Sequence, residues 1–367
     1  MLYTFAVLIV LCVAILLFIN MYPVFGGNPS REQQEVYEGF DNYQNGQFVN
    51  QVPTEMGMGI TGMLSIIRDS LFSDDNDRSP TEDIPVSEIG WDQIKSEEDS
   101  LTWFGHSTFL LSIDNKKIFV DPMLRPRASP VSFVGGSKRY SEDLLSIIGE
   151  LPSIDAVFIT HDHYDHLDYA SILQLNRKVS HYFVPLGVGV HLIRWGVEEE
   201  KITELNWWDE TDFQGLTVTL TPAKHYSGRG LFNRNSTLWG GWVILGENTR
   251  FFTSGDSGYD EHFKEVGERY GPFDITLLDG GQYDDRWDWV HMTPEEAVQA
   301  HLDLMGENMM LIHWGAFTLA YHDWSEPIER ALAEAENTAV NIIAPNIGET
   351  VLLNGDFFNV ISRWWEL

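Results

Sequence analysis

Three stretches of different character follow one another along the chain. Residues 2–20 form an almost uninterrupted apolar run, residues 21–95 are polar and acidic with little periodicity, and residues 96–367 contain short apolar runs separated by amphipathic segments. This pattern predicts one N-terminal transmembrane helix over 2–20, an acidic arm or linker over 21–95 that lies on the main domain, and a large folded domain over 96–367.

The apolar N-terminal run has the length of a membrane anchor. Residues 2–19 would span roughly 27 Å as a helix, close to the thickness of a bilayer core. The alternative, a cleaved signal peptide, requires a basic start and a cleavage site of small residues. No Lys or Arg precedes Arg31, and the segment 21–25 is bulky. We therefore favour a single-pass anchor, and the scarcity of Lys and Arg behind it favours placing the main domain outside the cytoplasm.

The main domain carries signals for both strands and helices. The runs 101–113 and 117–121 are predicted to be paired strands joined by an Asp-Asn turn. Helices are predicted over 141–148, from Thr293 and over 325–337, the last two because a Ser or Thr precedes Pro and acidic residues. Strands interspersed with helices indicate a layered α/β architecture.

The charge of the chain restricts its partners. Lys and Arg number 23 against 55 Asp and Glu, which gives a formal net charge of −32. Nucleic acid is excluded as a partner, because its phosphate backbone needs a basic surface. The single cysteine, Cys12, cannot form an internal disulfide. The chain contains 12 His, which offer another source of chemistry.

Several predicted strands end in a His or an Asp, and such ends meet at one edge of an α/β sheet. The residues 161–166 alone offer three His and two candidate Asp, a density that packing does not explain. The candidate metal ligands collected in this way are His161, His163, Asp165, His166, His225, Asp256 and His313.

The spacing of these residues predicts two metal sites. His161 and His163 would hold one ion together with His225, whereas Asp165 and His166 would face a second ion together with His313. Imidazoles and carboxylates suit zinc, and iron and manganese accept the same donors. Asp256 would bridge the two ions. The remaining histidines are expected to be structural or exposed, including His106, and Asp162 is expected to support its neighbours without binding metal.

The signature His-x-His-x-Asp-His at 161–166 resembles that of the metallo-β-lactamase-fold hydrolases. Further motifs in the same order resemble the N-acyl-phosphatidylethanolamine phospholipase D family over about residues 100–350, and Gly46–Asn50 is similar to its N-terminal arm. The matching motifs include those at 160–169, 183–187, 207–210, 238–242, 255–259 and 312–315. The membrane anchor departs from the animal enzyme, so we expect a bacterial relative with a lipid of its own.

This resemblance implies an αββα sandwich with two zinc ions per chain, held by residues matching the seven ligands. It also implies hydrolysis of a phospholipid to N-acylethanolamine and phosphatidic acid through attack by a hydroxide between the ions, and it allows a homodimer. Asp165 is expected to move the proton, and His291 matches a family histidine near the metals with a catalytic role. Tyr164 and Tyr169 are expected either to bind substrate or to pack beside the metal loop.

Other functions remain open at this point. The same two-metal site serves a lactonase or a soluble phosphodiesterase. A non-enzymatic lipid-binding or partner-binding domain would require a metal-poor site, which the ligand set argues against. The apolar tracts 60–67 and 71–72 are expected to contact lipid or to form an ordinary amphipathic helix packed on the core.

Overall fold

The computed structural model describes residues 2–54, 62, 64–66, 68–69, 77–131, 136–353 and 361–366. Half of the tract 60–67 (residues 60, 61, 63 and 67) and all of the tract 71–72 lie outside these described residues, and the described residues 62 and 64–66 of the first tract are helical. The helices within the described residues are α1 (Leu2–Met21), α2 (Arg31–Tyr37), α3 (Trp91–Lys95), α4 (Tyr169–Leu175), α5 (Gly189–Arg194), α6 (His262–Tyr270), α7 (Pro294–Asp303) and α8 (Glu326–Thr338), with short 3-10 helices at Pro23–Phe25, Leu145–Gly149 and Glu199–Lys201.

The strands follow one another with short connections. They are β1 (Tyr43–Gln44), β2 (Gln47–Phe48), β3 (Ser100–Trp103), β4 (Phe109–Ile113), β5 (Lys116–Val120), β6 (Arg127–Ala128), β7 (Ser137–Lys138), β8 (Ile154–Phe158), β9 (Val179–Pro185), β10 (Ile202–Leu205), β11 (Glu210–Phe213), β12 (Leu216–Thr221), β13 (Gly241–Leu245), β14 (Arg250–Thr253), β15 (Phe273–Asp279), β16 (Gly306–Ile312), β17 (Asn341–Ile343) and β18 (Thr350–Leu352).

Two seven-stranded mixed sheets form the centre of the molecule. The first has the order β10-β9-β8-β5-β4-β3-β18 and the second the order β11-β12-β13-β14-β15-β16-β17. In each sheet one half is parallel and the other half antiparallel. The strands β3, β5 and β8 therefore share one direction, and so do β12, β14, β15 and β16. Their carboxyl ends collect at one edge of each sheet.

Alternating side chains bury both faces of the first sheet. Phe109 and Leu111 of β4 point into the core between the sheets, whereas Leu110 belongs to the core on the outer face with Ile172 of α4 and Leu192 of α5. The helices α7 and α8 cover the outer face of the second sheet. The result is the expected αββα sandwich, in which strands buried on both faces have nearly continuous apolar sequences.

Local predictions were partly correct. The strands β4 and β5 pair through the Asp-Asn turn as expected, and Thr293 is the N-cap residue of α7, with its hydroxyl accepting a hydrogen bond from the Glu296 amide. The predicted helix over 141–148 is wrong, because only a short 3-10 helix forms there, at Leu145–Gly149. Ser141 is held extended by a bridge to Ile84.

The run 101–113 is two strands and not one. The chain reverses at Gly105 and His106, where both residues have positive φ (84° and 56°), and Trp103 then pairs with Phe109 of the next strand. Glycine tolerates this backbone conformation and histidine adopts it less readily. This turn lies at the edge where the candidate ligands meet.

The described part of the arm lies on the sandwich. The Phe48 amide donates to the Asn235 carbonyl at 2.9 Å. Asn50 and His225 exchange two hydrogen bonds, side chain to backbone, of 3.0 and 3.1 Å. Trp195 donates from Nε1 to the Pro23 carbonyl at 2.7 Å, so the segment just behind α1 is also attached. The segment Tyr3–Met21 of α1 has a mean hydropathy of 2.8 and is not buried; a signal sequence has the same properties, so anchoring stays a prediction.

Candidate metal centre

The candidate ligands stand where the carboxyl ends of seven strands meet. Each of these residues ends its strand or follows it within a few positions: His106 after β3, Asp121 after β5, the segment 161–166 after β8, His225 after β12, Asp256 after β14, Asp279 at the end of β15 and His313 after β16. The fold therefore brings together residues that are far apart in the sequence.

The first cluster consists of His161, His163, His225 and Asp256, with one ligand atom of each within 4.8 Å of the others. His163 Nδ1 lies 2.9 Å from His161 Nε2 and 3.3 Å from His225 Nε2. Asp256 Oδ2 is 3.7 Å from Nε2 of both His161 and His225. The structure thus brings together the three histidines that the spacing assigned to one ion and Asp256, which was predicted to bridge both ions.

The second cluster contains Asp165, His166 and His313 together with His106. Asp165 Oδ2 lies 3.5 Å from His166 Nε2 and 3.6 Å from His313 Nε2. The other oxygen of Asp256, Oδ1, is 3.2 Å from His166 Nε2 and hydrogen-bonds His313 Nδ1. Asp256 therefore presents one oxygen to each cluster, which is the arrangement expected of a bridging carboxylate.

His106 lies inside the centre, although the sequence placed it among the structural residues. Its Nε2 is 2.9 Å from Asp165 Oδ2, and the side chain is buried. Within the described residues, Nδ1 of His106 has no hydrogen-bond partner. The turn at Gly105 delivers this side chain, and a glycine inside a predicted strand was the signal that could have revealed it.

Two buried carboxylates behind the ligands were also missed. Asp121 Oδ2 lies 2.8 Å from His166 Nδ1, and Asp279 Oδ2 lies 2.8 Å from His291 Nδ1. Asp279 and His291 also form a third, overlapping group with Asp256 and His313. Both carboxylates stand at strand ends, which is the same signal that identified the ligands. Carboxylates in this position fix the tautomer and the orientation of a metal-binding imidazole.

Asp162 points away from the two clusters, as expected. Its Oδ1 accepts from the Gly228 amide at 2.7 Å, and its Oδ2 lies 3.2 Å from His191 Nε2. His191 in turn accepts from the Gly27 amide at 3.0 Å. These bonds link the metal loop to the chain that follows α1.

Burial and mutual contact shift the pKa values of the cluster strongly. Burial holds the pKa of His161 and His225 well below the usual range, so both are neutral and able to bind metal. Burial would raise the pKa of Asp256, but His166 and His313 hold it well below its usual value. Among the described residues, His166 Nε2 is buried and makes no well-aligned hydrogen bond, although Asp256 Oδ1 lies 3.2 Å away. A buried set of imidazoles and carboxylates with such an atom fits a divalent metal ion.

A cleft of about 440 Å³ opens onto this centre. Besides His163, Asp165 and His291, it is lined by apolar side chains that include Trp287, Trp289 and Leu319. A cleft with polar groups at its base and apolar walls suits an organic substrate.

The two candidate tyrosines have different positions. Tyr164 lines the cleft and donates to the Arg229 carbonyl at 2.5 Å. Tyr169 is absent from the described lining, because it begins α4 and its ring centroid lies 5.3 Å from that of Trp195. The structure therefore brings only Tyr164 to the site.

The chain is similar in sequence to a known protein family and to several known proteins. Residues 116–314 match the beta-lactamase superfamily domain. An uncharacterised protein of Mycobacterium tuberculosis is 39% identical over 349 residues, which cover 94% of this chain and 92% of the relative. An N-acyl-phosphatidylethanolamine-hydrolyzing phospholipase D of Caenorhabditis elegans is 38% identical over 250 residues, which cover 64% of this chain and 69% of the relative.

A solved structure shows the same fold. A metallo-hydrolase of the archaeon Ignicoccus hospitalis superposes with a TM-score of 0.53 at 24% identity, covering 70% of this chain and 99% of its own. The match to the superfamily domain covers β5 to β16 and all seven predicted metal ligands, from His161 to His313. The chain therefore belongs to the metallo-β-lactamase superfamily and is a metal-dependent hydrolase of that superfamily.

Proposed function

We propose that the protein is a zinc-dependent phosphodiesterase of phospholipase D type. Its substrate would be N-acyl-phosphatidylethanolamine or a similar phospholipid, and its products N-acylethanolamine and phosphatidic acid. The observation that carries this proposal is the pair of His and Asp clusters that share Asp256 at the base of a partly apolar cleft. The C. elegans relative, named for this activity, supports the choice of substrate.

The residues present would hold two zinc ions. His161, His163 and His225 would bind one ion, Asp165, His166 and His313 the other, and Asp256 both. When bound, such a pair supplies a nucleophile derived from water at neutral pH and stabilises negative charge on the phosphoryl oxygens.

Asp165 is the residue placed to move the proton. Burial would raise the pKa of its carboxyl, but His166 and His106 hold it well below its usual value, so the group is ionised at neutral pH. It lines the cleft, and its Oδ2 is oriented by His106. As the bond from water oxygen to phosphorus forms and the bond from phosphorus to the ethanolamine oxygen breaks, Asp165 takes a proton from water and passes it to that oxygen.

His291 is placed to stabilise the phosphoryl group. Burial would lower the pKa of its imidazole, but Asp279 raises it above the ordinary value, which favours the charged form near neutral pH. Because Asp279 engages Nδ1, Nε2 is the nitrogen left to donate to a phosphoryl oxygen in the cleft.

A membrane location agrees with a lipid substrate. We propose that α1 anchors the chain as a single span with the main domain outside the cytoplasm, so that the cleft stays close to the bilayer. The net charge of −32 makes nucleic acid an unsuitable substrate.

Metal analysis combined with substrate profiling tests this proposal. The full-length protein in mixed micelles would receive N-acyl-phosphatidylethanolamine, a lactone and a soluble aryl phosphodiester. We expect two zinc ions per chain and release of N-acylethanolamine, both reduced in His163→Ala. The matched control is His181→Ala, which removes a histidine of β9 that bonds Thr203 at 2.8 Å outside the cleft.

Two results would contradict the proposal in different ways. Turnover of the lactone alone would keep the metal centre and overturn the substrate. A protein that takes up no metal after reconstitution, although it is folded, would overturn the mechanism as well.

A further inference from the structure

A second groove, of about 290 Å³, lies between the end of α1 and the loop after the first-cluster residue His225. Leu16 and Ile19 of α1 line one side, and Leu231 and Phe232 line the other. We call residues 230–234 the lip loop. Leu231 is 63% exposed and Phe232 is 86% exposed, so two large apolar side chains stand in solvent beside the helix that we assign to the membrane.

Aromatic side chains surround the end of α1 at the same level. The ring of Phe18 stacks on Tyr22 with centroids 5.0 Å apart and meets Phe25 edge-on at 5.8 Å. Tyrosine and tryptophan collect at membrane–water boundaries, and Tyr22 stands at this end of α1. If α1 spans a bilayer, the lip loop therefore lies at the boundary between acyl chains and head groups.

The groove is also free of negative charge. None of the described residues that line it is Asp or Glu, although the chain contains 55 of these acids, and two arginines are present, Arg194 and Arg234. Arg194 is occupied, since it donates to the carbonyls of Gly26 and Asn20 at 2.6 Å each. Arg234 has no carboxylate partner among the described residues, and its guanidinium carbon lies 4.7 Å from the ring centroid of Tyr226.

Arg234 connects the groove to the metal centre. It lines both the groove and the cleft, and it is the sole Lys or Arg in the described lining of the cleft. The ring of Tyr226, which it contacts, lies 4.6 Å from the ring of His163 between centroids. A phosphate bound by Arg234 would thus be separated from His163 of the first cluster by the ring of Tyr226.

We propose that the lip loop is the entrance through which a phospholipid reaches the cleft from the bilayer. Leu231 and Phe232 lie among the acyl chains beside α1, and Arg234 binds the lipid phosphate before it reaches the metal centre. A guanidinium suits this task because its fork of N–H donors matches phosphate oxygens. This inference rests on the proposed function and names the direction from which its substrate arrives.

A fluorescent label tests the membrane contact without requiring turnover. Phe232→Cys, made in a Cys12→Ser background, would carry an environment-sensitive fluorophore on the full-length protein in phosphatidylcholine nanodiscs. We expect nitroxide groups on the lipid acyl chains to quench this label at least threefold more than the same label at Leu302→Cys. Leu302 is the control because it is 41% exposed on α7, away from the groove.

Kinetics test the role of Arg234. With N-acyl-phosphatidylethanolamine in the nanodiscs, Arg234→Ala is expected to raise KM about tenfold with a smaller change in kcat, and Arg234→Lys to recover part of that loss. The rise in KM for a soluble aryl phosphodiester should be at least threefold smaller. Arg177→Ala, which removes an exposed arginine behind α4, should leave the lipid KM unchanged.

The outcomes separate this inference from the proposed function. An unquenched label at 232, or an unchanged lipid KM in Arg234→Ala while the wild-type protein hydrolyses the lipid, would overturn the inference alone. Equal losses on both substrates would place Arg234 in the chemistry at the metals and overturn its assignment to the entrance. If the wild-type protein does not hydrolyse the lipid, the proposed function fails, and the label still decides whether the lip loop contacts lipid.

Discussion

Replacing Asp121 with Asn is expected to weaken metal binding at the cluster that contains His166. Asp121 Oδ2 lies 2.8 Å from His166 Nδ1, and both side chains are buried. An anionic acceptor at this position places the imidazole proton on Nδ1 and leaves the Nε2 lone pair for the metal ion. Asn keeps the volume but loses the charge, and its amide group favours the other tautomer, with the proton on Nε2.

Asp121 also accepts from the Thr160 amide and hydroxyl at 2.8 and 2.6 Å, but the size of the effect on the metal is worked from the contact with His166. A buried hydrogen bond to a charged group is worth roughly 1.5–3 kcal/mol. Since 1.4 kcal/mol corresponds to about a tenfold change in an equilibrium constant, we expect affinity for one ion to fall roughly 10- to 100-fold, in line with other residues that support metal ligands. The affinity for the other ion should fall less, because Asp121 is linked to the first-cluster residue His161 only through the Thr160 hydroxyl, which lies 3.0 Å from His161 Nδ1.

Competition with a fluorescent zinc chelator measures the two affinities, and circular dichroism verifies the fold. Asp155→Asn is the matched control, because Asp155 accepts from the Lys117 amide at 2.8 Å in the same sheet but outside the cleft. A folded Asp121→Asn protein that binds both ions with wild-type affinity would refute the reasoning about the tautomer.

Three further outcomes are expected. Asp256→Asn should lower kcat at least about 100-fold and reduce the metal content, since Asp256 faces both clusters; full metal and near wild-type turnover would exclude a bridging role. His291→Gln should lower kcat roughly 10²- to 10³-fold at unchanged metal content, as for loss of a transition-state donor; loss of metal would instead make His291 a ligand. Burial lowers the pKa of His301 to about 4. The free energy of unfolding should therefore decrease as the pH falls from about 6.5 towards 4, because His301 is protonated first in the unfolded chain. Urea unfolding measures this loss of stability, which is up to about 3 kcal/mol and should be smaller in His301→Gln. An identical pH dependence of stability in the two proteins would contradict this prediction.

Local sequence was sufficient to predict most residues of the candidate metal centre. The segment 161–166 supplies four candidate ligands within one loop, so their proximity needs no long-range packing. His225, Asp256 and His313 were predicted because each follows an apolar run, and the structure brings all three to the clusters. The start of α7 could also be predicted from local sequence. The Thr293 hydroxyl accepts from the Glu296 amide and the Glu296 carboxylate accepts from the Thr293 amide, so the two residues form a capping box.

The errors occurred where a distant contact overrides the local pattern. The run 101–113 looks like one strand, but it turns at Gly105, and the His106 amide donates to the Trp314 carbonyl at 2.8 Å. The segment 141–148 has a helical pattern, but its first residue is held extended by the bridge to Ile84. In both cases a partner far along the chain decides the conformation, and periodicity carries no information about that partner.

The sequence by itself indicated which residues could bind metal and in what order they occur, because ligand chemistry and strand ends are local properties. Only the tertiary structure decided what stands behind and beside them. Asp121 and Asp279 reach the histidines they orient because parallel strands of two sheets end at one edge, which depends on the order of strands in each sheet. Arg234 joins the cleft to the groove at α1 because two distant segments pack together there. Such proximity arises from burial of the whole core, and it is therefore a property of the fold and not of any one motif.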